Sequence, residues 1–282
     1  MTTTTNLASV AKFIGGEKVE VESLCKGTQD PHFLEAKPSY TFKLSKADLL
    51  ISIGADLEVG WLPLIIRGSH NPKLREGQIG HLVASSGLEL IEKITGDLTR
   101  SDGDVHPAGN PHFMLSPNMA LIVASSITKR LSVIDNTNQS YYEENLASFK
   151  FKTNTLINDW KKKLKSGLKV VSHHRTLSYL FKDFAVNNID YLEPKPGIPP
   201  TSSHVISLIN KIKEQKVQKI ILENYFNDSV AKRVKHDISG LEIYSVPVAV
   251  EGEKGIDDIF KLYNRLLKVL ESDLSLFSRT LF

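Results

Sequence analysis

Residues 138–166 read NQSYYEENLASFKFKTNTLINDWKKKLKS and contain neither glycine nor proline. Apolar residues recur here at spacings of three, seven, four and four, which keeps them on one helix face: Leu146, Phe149, Leu156, Trp160 and Leu164. The lysines at the end of the stretch offset the helix dipole, and Gly167 is the predicted stop. About thirty residues of helix span roughly 40 Å, which is more than one small lobe requires. The stretch therefore predicts a long rigid helix between two lobes.

Strand-like and helix-like segments alternate on both sides of this helix. Before it, we predict strands in TTTTNL, KVEVESLC and DLLISIG, a strand or short turn in GHLVASSG, and helices between them. After it, we predict strands in LKVVSHH, NIDYLE, VQKIILENY and EIYSVPVAV, again separated by helices. This alternation is typical of parallel sheets covered by helices.

The predicted fold class is α/β, with two lobes, each a mainly parallel β-sheet flanked by helices, joined by one long rigid backbone helix. We place the N-terminal lobe at residues 1–137, the connecting helix at 138–166 and the C-terminal lobe at 167–282.

Composition narrows the function classes. The 282 residues are 41% hydrophobic and 24% charged, with a net charge of +3 and no basic stripe, so we expect no nucleic-acid partner. No apolar run approaches the ~18–20 residues needed to cross a bilayer. Cys25 is the only cysteine, which excludes an internal disulfide and a thiolate metal cluster, and we expect it to be a buried core residue. Because Met1 leads directly into a strand-like segment, we expect it to stand where an export signal was removed.

Three of the nine histidines share a position in the predicted fold. His32, His112 and His174 each lie at the C-terminal end of a predicted strand or in the loop after it, where open α/β sheets bind ligands. A proline precedes two of them, in QDPHF and GNPHF, and restricts the backbone that carries the imidazole. Each Pro-His pair alone is compatible with an ordinary turn. Together, three imidazoles indicate a site for zinc or a neighbouring transition metal.

Several segments resemble one protein family. The segments TTTTNLASVAKFIGGEKVEVESLCKGTQDPHFLEAKPS, DLLISIGADLEVGWL, DVHPAGNPHFMLSP and VVSHHRTLSYLFKDF are similar to the ZnuA/TroA-like metal-binding proteins, over Thr2 to about Glu271. These are the substrate-binding components of ATP-driven (ABC) zinc and manganese importers. In the third ligand loop of the family a histidine precedes a tyrosine by five residues, which selects His174, five before Tyr179, over His173.

This sequence departs from the family pattern in two places. Val246 stands where the family often has an aspartate ligand, and the nearest replacement is Glu223 at the end of IILE. We therefore predict Glu223 as the fourth ligand, with water, His106 and His173 as alternatives. The long loop rich in histidine and aspartate is missing, because LTRSDGDVHPAGNPH carries only His106 before the ligand.

Two carboxylates are candidates for accepting a hydrogen bond from the ring nitrogen of a ligand histidine that does not bind the metal. Glu58 and Asp30 are plausible hydrogen-bond partners, since a ligating histidine normally donates its other N–H to a carboxylate or carbonyl. A solvated acidic turn is the alternative for each.

The resemblance implies a monomeric extracytoplasmic or periplasmic protein that is not an enzyme. It would capture a divalent metal ion in the cleft between the lobes and deliver it to an ABC transporter permease. Three imidazoles and a carboxylate suit Zn²⁺ as the bound cargo, with Mn²⁺ second because it prefers more oxygen ligands. A zinc-dependent hydrolase is one alternative, although the sequence has no His-Glu-x-x-His motif, nucleophile elbow or P-loop. A two-lobe siderophore- or vitamin-binding protein is another, but it would not need three ligand-loop histidines.

Overall fold

The computed structural model describes residues 1–94, 106–195 and 197–271. Residues 95–105, which include the first part of the short loop predicted before His112 (LTRSDGDVHPAGNPH), lie outside the described residues. So does the end of the predicted C-terminal lobe, residues 272–282.

The N-terminal half forms a small parallel sheet with helices around it. Its regular elements are α1 (Thr5–Gly15), α2 (Pro38–Ser45), β1 (Leu50–Ser52), α3 (Leu62–Gly68), β2 (His81–Val83) and α4 (Pro117–Ile134). Strands β1 and β2 pair in parallel, and Thr2 extends this sheet through isolated bridges to Ile51 on one side and Ser23 on the other.

The strand predicted in TTTTNL is wrong beyond Thr2. Four β-branched residues favour a strand, but threonine is also a good N-cap, and here Thr4 takes that role by accepting a hydrogen bond from the backbone N–H of Leu7. Helix α1 therefore begins at Thr5. The strand predicted in KVEVESLC is likewise reduced to the single bridge at Ser23.

The long helix predicted from the sequence is α5 (Gln139–Lys163), a few residues shorter at its C-terminus than expected. It ends where Leu164 turns to an extended conformation while its N–H still bonds to the carbonyl of Trp160. Gly167 has a positive φ of 77°, but it lies beyond this end and does not stop the helix. The predicted apolar face is buried at Phe149, Leu156 and Trp160.

The C-terminal half is a second parallel sheet. Its elements are β3 (Lys169–Ser172), α6 (Ser178–Asp183), β4 (Asn187–Tyr191), α7 (Ser202–Gln215), β5 (Lys219–Glu223), α8 (Ser229–His236), β6 (Glu242–Val246) and α9 (Ile259–Leu270). The strand order is β4-β3-β5-β6, and every neighbouring pair is parallel. The carboxyl ends of these strands consequently meet at one edge of the sheet.

One hydrophobic cluster runs through both halves of the molecule. It contains Leu7 of α1, Val123 of α4, Phe149 of α5 and Leu262 of α9, all fully buried. Helix α5 is thus packed into a shared core rather than exposed between two separate bodies. Cys25 is buried, as predicted. None of the helices in the described ranges is long and apolar enough to cross a membrane.

The halves are also joined by polar contacts at the start of α1. The Thr5 hydroxyl donates to the carbonyl of Val250 at 2.7 Å, and the Asn6 side chain donates to the carbonyl of Val248 at 3.0 Å. Asn6 also accepts from the N–H of Val250 at 2.8 Å. These buried contacts fix the N-terminal helix against the loop after β6.

Candidate metal centre

His32 is held by the residue two positions before it. The turn Pro31–Phe33 is capped by Asp30, whose Oδ1 accepts from the backbone N–H of His32 at 3.0 Å and from its Nδ1 at 2.6 Å. The carbonyl of Pro31 accepts a hydrogen bond from the indole of the buried Trp61 at 2.9 Å. With Nδ1–H donated to Asp30, His32 presents the lone pair of Nε2 to the cleft.

The charge of Asp30 fits this role. Burial raises the pKa of the Asp30 carboxyl, but the hydrogen bonds from the ring and backbone of His32 help to outweigh burial and leave that pKa below its ordinary value. Asp30 therefore acts as an ionised acceptor for the imidazole.

His112 begins the turn His112–Leu115, directly before α4. Its backbone N–H donates to Oδ1 of Asn110 at 2.8 Å, and the residues after it are buried in the shared core. The Nε2 atom of His112 is buried without a hydrogen-bond partner in the described part of the chain. Burial lowers the pKa of His112 well below its ordinary value, and the neighbouring histidines lower it further. The ring is therefore neutral, as a metal ligand must be.

His174 comes from the other half, two residues beyond β3. It is only 7% exposed, and its Nδ1 lies 3.7 Å from Oε2 of Glu193, which follows β4. Burial disfavours the charged imidazole, but the acidic groups Glu193, Glu223 and Asp30 outweigh burial and raise the pKa of His174. With Nδ1 turned toward Glu193, the Nε2 atom is left for a metal.

The structure brings His32, His112 and His174 together. One potential ligand atom from each lies within 4.8 Å of the other two. The ring centroids are 5.1 Å apart for His32 and His112, 5.4 Å for His112 and His174, and 5.9 Å for His32 and His174. Two imidazoles from the N-terminal half thus face one from the C-terminal half across the cleft, an arrangement that zinc and similar ions favour.

Glu223 lies close to this group without joining it. It ends β5, is 1% exposed, and neither carboxylate oxygen has a hydrogen bond of ordinary geometry within the described ranges. Burial raises the pKa of the carboxyl, and the nearby His174 and Thr176 only partly oppose this. In the sheet register Glu223 is opposite Val246, the residue that stands where the resemblance led us to expect an aspartate.

The other predicted residues differ in their relation to the histidines. Nε2 of His106 is 3.1 Å from Nε2 of His32. Burial and the neighbouring histidines lower the pKa of His106 to about 4. His173 stacks on Phe226, with ring centroids 4.3 Å apart, and its Nδ1 lies 3.6 Å from Glu193.

Glu58 is engaged elsewhere. It accepts hydrogen bonds from the Thr3 hydroxyl at 2.6 Å and from the N–H groups of Ile53 at 2.7 Å and Gly54 at 2.9 Å. These hydrogen bonds fix the turn after β1. None of them joins Glu58 to His32, His112 or His174.

Comparison with known proteins identifies the family. Residues 1–272 match the family model ZnuA, the periplasmic zinc-uptake complex component A. The chain belongs to the ZnuA family.

Its relatives are metal-binding components of ABC transporters. Over 276 residues, 95% of this chain and 86% of the relative, it is 28% identical to the metal ABC transporter substrate-binding lipoprotein ScbA of Streptococcus cristatus. Over 265 residues, 90% of this chain and 82% of the relative, it is 27% identical to the manganese ABC transporter substrate-binding lipoprotein PsaA of Streptococcus pneumoniae.

Solved structures confirm the fold. A ZnuA deletion mutant with bound zinc superimposes with a TM-score of 0.80 at 22% identity, covering 95% of each chain. FpvC from Pseudomonas aeruginosa in complex with Mn²⁺ gives a TM-score of 0.76 at 20% identity, covering 95% of this chain and 94% of that one. The predicted α/β fold with two lobes and a long helix is that of the ZnuA family.

Sequence reasoning missed two acidic residues of this ZnuA-family site. Glu193 contacts His174 and could have been found, because it is the last residue of the predicted strand NIDYLE, at the sheet edge that carries the other groups. Glu92 accepts hydrogen bonds from Ser178 and Asn110 at 2.9 Å each, which ties together the loops of two ligand histidines. Nothing in the local sequence around Glu92 indicates this role.

Proposed function

We propose that this ZnuA-family protein captures a divalent transition metal, Zn²⁺ first and Mn²⁺ second, and delivers it to the permease of an ABC importer. The single observation that carries the proposal is the group formed by His32, His112 and His174 between the two halves of the molecule. Three imidazole nitrogens suit zinc, whereas manganese generally prefers more oxygen ligands. The family description names zinc and the name of the relative PsaA names manganese, so the ligand chemistry is the stronger guide to the metal here.

The role is binding without chemical conversion. The relatives are named as substrate-binding lipoproteins of ABC transporters, which supports a permease as partner and a location outside the cytoplasm. We propose that the protein acts as a monomer. Because the core is continuous between the halves, loading would be signalled to the permease by modest rearrangement of the loops around the cleft.

Among the candidates for the fourth ligand, which include His106, the sequence favours Glu223. Its buried carboxylate, without a hydrogen-bond partner in the described part of the chain, supports a role beside the metal. The charge of His174 lowers the pKa of the Glu223 carboxyl, which also supports a position for Glu223 near the ligand group.

Titration of metal-stripped protein with Zn²⁺ and with Mn²⁺, followed by calorimetry, tests the function. We expect one ion per chain and tighter binding of zinc. The His174→Ala variant removes the only histidine of the group from the C-terminal half, and we expect it to lose most of the zinc affinity. A His236→Ala variant is the matched control, because that side chain is 77% exposed on α8. Equal zinc binding by His174→Ala and the parent would refute the site.

A further inference from the structure

We propose that His106 supplies the fourth zinc ligand, and that Glu223 instead serves as the buried counter-charge of His174. The inference rests on the proposed metal-capture function and names one more residue of that site. Its basis is the contact between Nε2 of His106 and Nε2 of His32, at 3.1 Å.

The distance between these nitrogens fits a shared metal ion. A tetrahedral zinc ion with Zn–N bonds of about 2.0–2.1 Å separates its ligand nitrogens by roughly 3.3–3.4 Å. His106 and His32 are therefore already close to the spacing of two ligands on one ion. Glu223, in contrast, reaches the group through the charge of His174 and makes no direct contact of this kind with a ligand atom.

The hydrogen bonding of His32 explains why this contact points to a metal. Asp30 accepts from Nδ1 of His32 at 2.6 Å, so the Nε2 that faces His106 carries a lone pair. Without metal, a proton on Nε2 of His106 can occupy the space between the two nitrogens. With metal, the ion replaces that proton, and both nitrogens become ligands. The two Nε2 atoms are thus held close together by a proton in the metal-free protein and by the ion in the metal-bound protein.

The surroundings of His106 agree with this role. Its Nδ1 is buried and has no hydrogen bond of ordinary geometry in the described ranges, but the backbone of Ala55 lies near enough to raise the pKa of the ring. The ring is therefore oriented by Ala55 as well as by its Nε2 contact with His32. Its centroid is 5.2 Å from that of His32 and 6.5 Å from that of His112, against 5.1 Å between His32 and His112. His106 thus lies beside His32 at the edge of the group, and binding as a fourth ligand requires its side chain to move toward His112 and His174.

A four-nitrogen site has a consequence for metal choice. Nitrogen ligands suit zinc, and manganese gains more from oxygen. Val246, opposite Glu223 in the sheet, supplies no oxygen ligand from its side chain. A nitrogen ligand from His106 therefore favours zinc over manganese. We expect His106→Asp, which replaces this nitrogen with a carboxylate oxygen, to reduce the ratio of zinc affinity to manganese affinity.

The test compares zinc affinity and coordination in metal-stripped full-length variants. We expect His106→Ala to weaken zinc binding at least tenfold in competition with a chelator, and His236→Ala to leave it unchanged. X-ray absorption of the zinc-loaded proteins should show four imidazole ligands in the parent and three in His106→Ala. Glu223→Gln, which keeps the size of the side chain, should retain four. Unfolding temperatures of the metal-free variants identify any loss of fold.

The outcomes separate this inference from the proposed function. If the parent binds no zinc, or His174→Ala binds it as tightly as the parent, the proposed function fails. If the parent binds zinc and His174→Ala does not, but His106→Ala matches the parent in affinity and imidazole number, only the assignment of His106 is overturned. Loss of one non-imidazole ligand in Glu223→Gln would overturn it in favour of Glu223.

Discussion

Asp30 supports His32 in two ways, through the backbone and through the ring. Its Oδ1 caps the turn at His32 and also accepts from Nδ1 of the imidazole. The first interaction orients the loop, while the second fixes the tautomer and makes Nε2 more basic. An asparagine at this position could still accept from the backbone N–H but would remove the negative charge.

We therefore expect Asp30→Asn to weaken zinc binding by about 10–100-fold without unfolding the loop. Chelator competition measures the affinity, and circular dichroism of the metal-free protein checks the fold. Asp48→Asn is the matched control, because the Asp48 side chain is 79% exposed. An affinity equal to that of the parent would show that His32 does not depend on the Asp30 charge.

At the scale of elements, the two ligand loops are linked by a hydrogen-bond network around Glu92. Glu92 accepts from Asn110 and Ser178 and lies 3.5 Å from the guanidinium of Arg175. Asn110 in turn accepts from the N–H of His112 and donates to the carbonyl of Arg175 at 2.8 Å, next to His174. The network thus connects the second ligand loop to the third and holds the two sides of the cleft together.

Removing the Glu92 carboxylate should speed metal release more than it alters coordination. Hydrogen bonds to charged groups contribute about 1.5–3 kcal/mol each. Only the part of this stabilisation that is lost when the loops open affects the release rate, and about 1.4 kcal/mol of it corresponds to a tenfold change. We expect Glu92→Ala to release zinc on the order of tenfold faster in stopped-flow mixing with a chelator, with an unchanged number of imidazole ligands. Glu89→Ala, exposed in the same loop, is the control. Unchanged release would mean that the loops are held independently of Glu92.

The elements differ in how far the sequence predicts them. Helix α5 was predictable because its apolar face repeats over many turns, and only its end was misplaced. The segment TTTTNL was predicted wrongly, because threonine is favoured both in strands and at helix N-caps. Here the packing of α1 against the core favours the helix, with Thr4 as its N-cap. Short apolar segments such as DLLISIG gave the right element with a shorter span, Leu50–Ser52.

The candidate site shows the same limit. The position of His174 follows from the rule that ligands lie at strand ends, since it comes two residues after β3. His32 and His112 do not directly follow strands, because only a single bridge at Ser23 precedes His32 and β2 ends at Val83. The approach of His106 to His32 joins residues 74 positions apart, and the ties of Glu92 to the C-terminal half are longer still. Such contacts depend on how the two halves pack, which local patterns do not encode.

At the scale of the whole molecule, metal binding is linked to protons and to stability. His174 has a raised pKa, so in the metal-free fold it holds a proton at higher pH than an ordinary histidine. The stability from this proton is present below the ordinary histidine pKa and is lost as pH rises through the raised one. Zinc requires the neutral ring and so competes with that proton, whereas His112, with its lowered pKa, offers no competition.

We therefore expect zinc affinity to rise with pH until it passes the raised pKa of His174, and then to level off. Calorimetry in two buffers of different ionisation enthalpy should detect release of about one to two protons per zinc below that point, not three or four. Zinc at a thousand times its dissociation constant adds about 4.1 kcal/mol of stability, which corresponds to roughly 8–16 °C in unfolding temperature for a chain of this size. This stabilisation should shrink as pH falls toward 5. A zinc-dependent shift that is equally large at pH 5 and pH 8 would contradict the competition between zinc and the His174 proton.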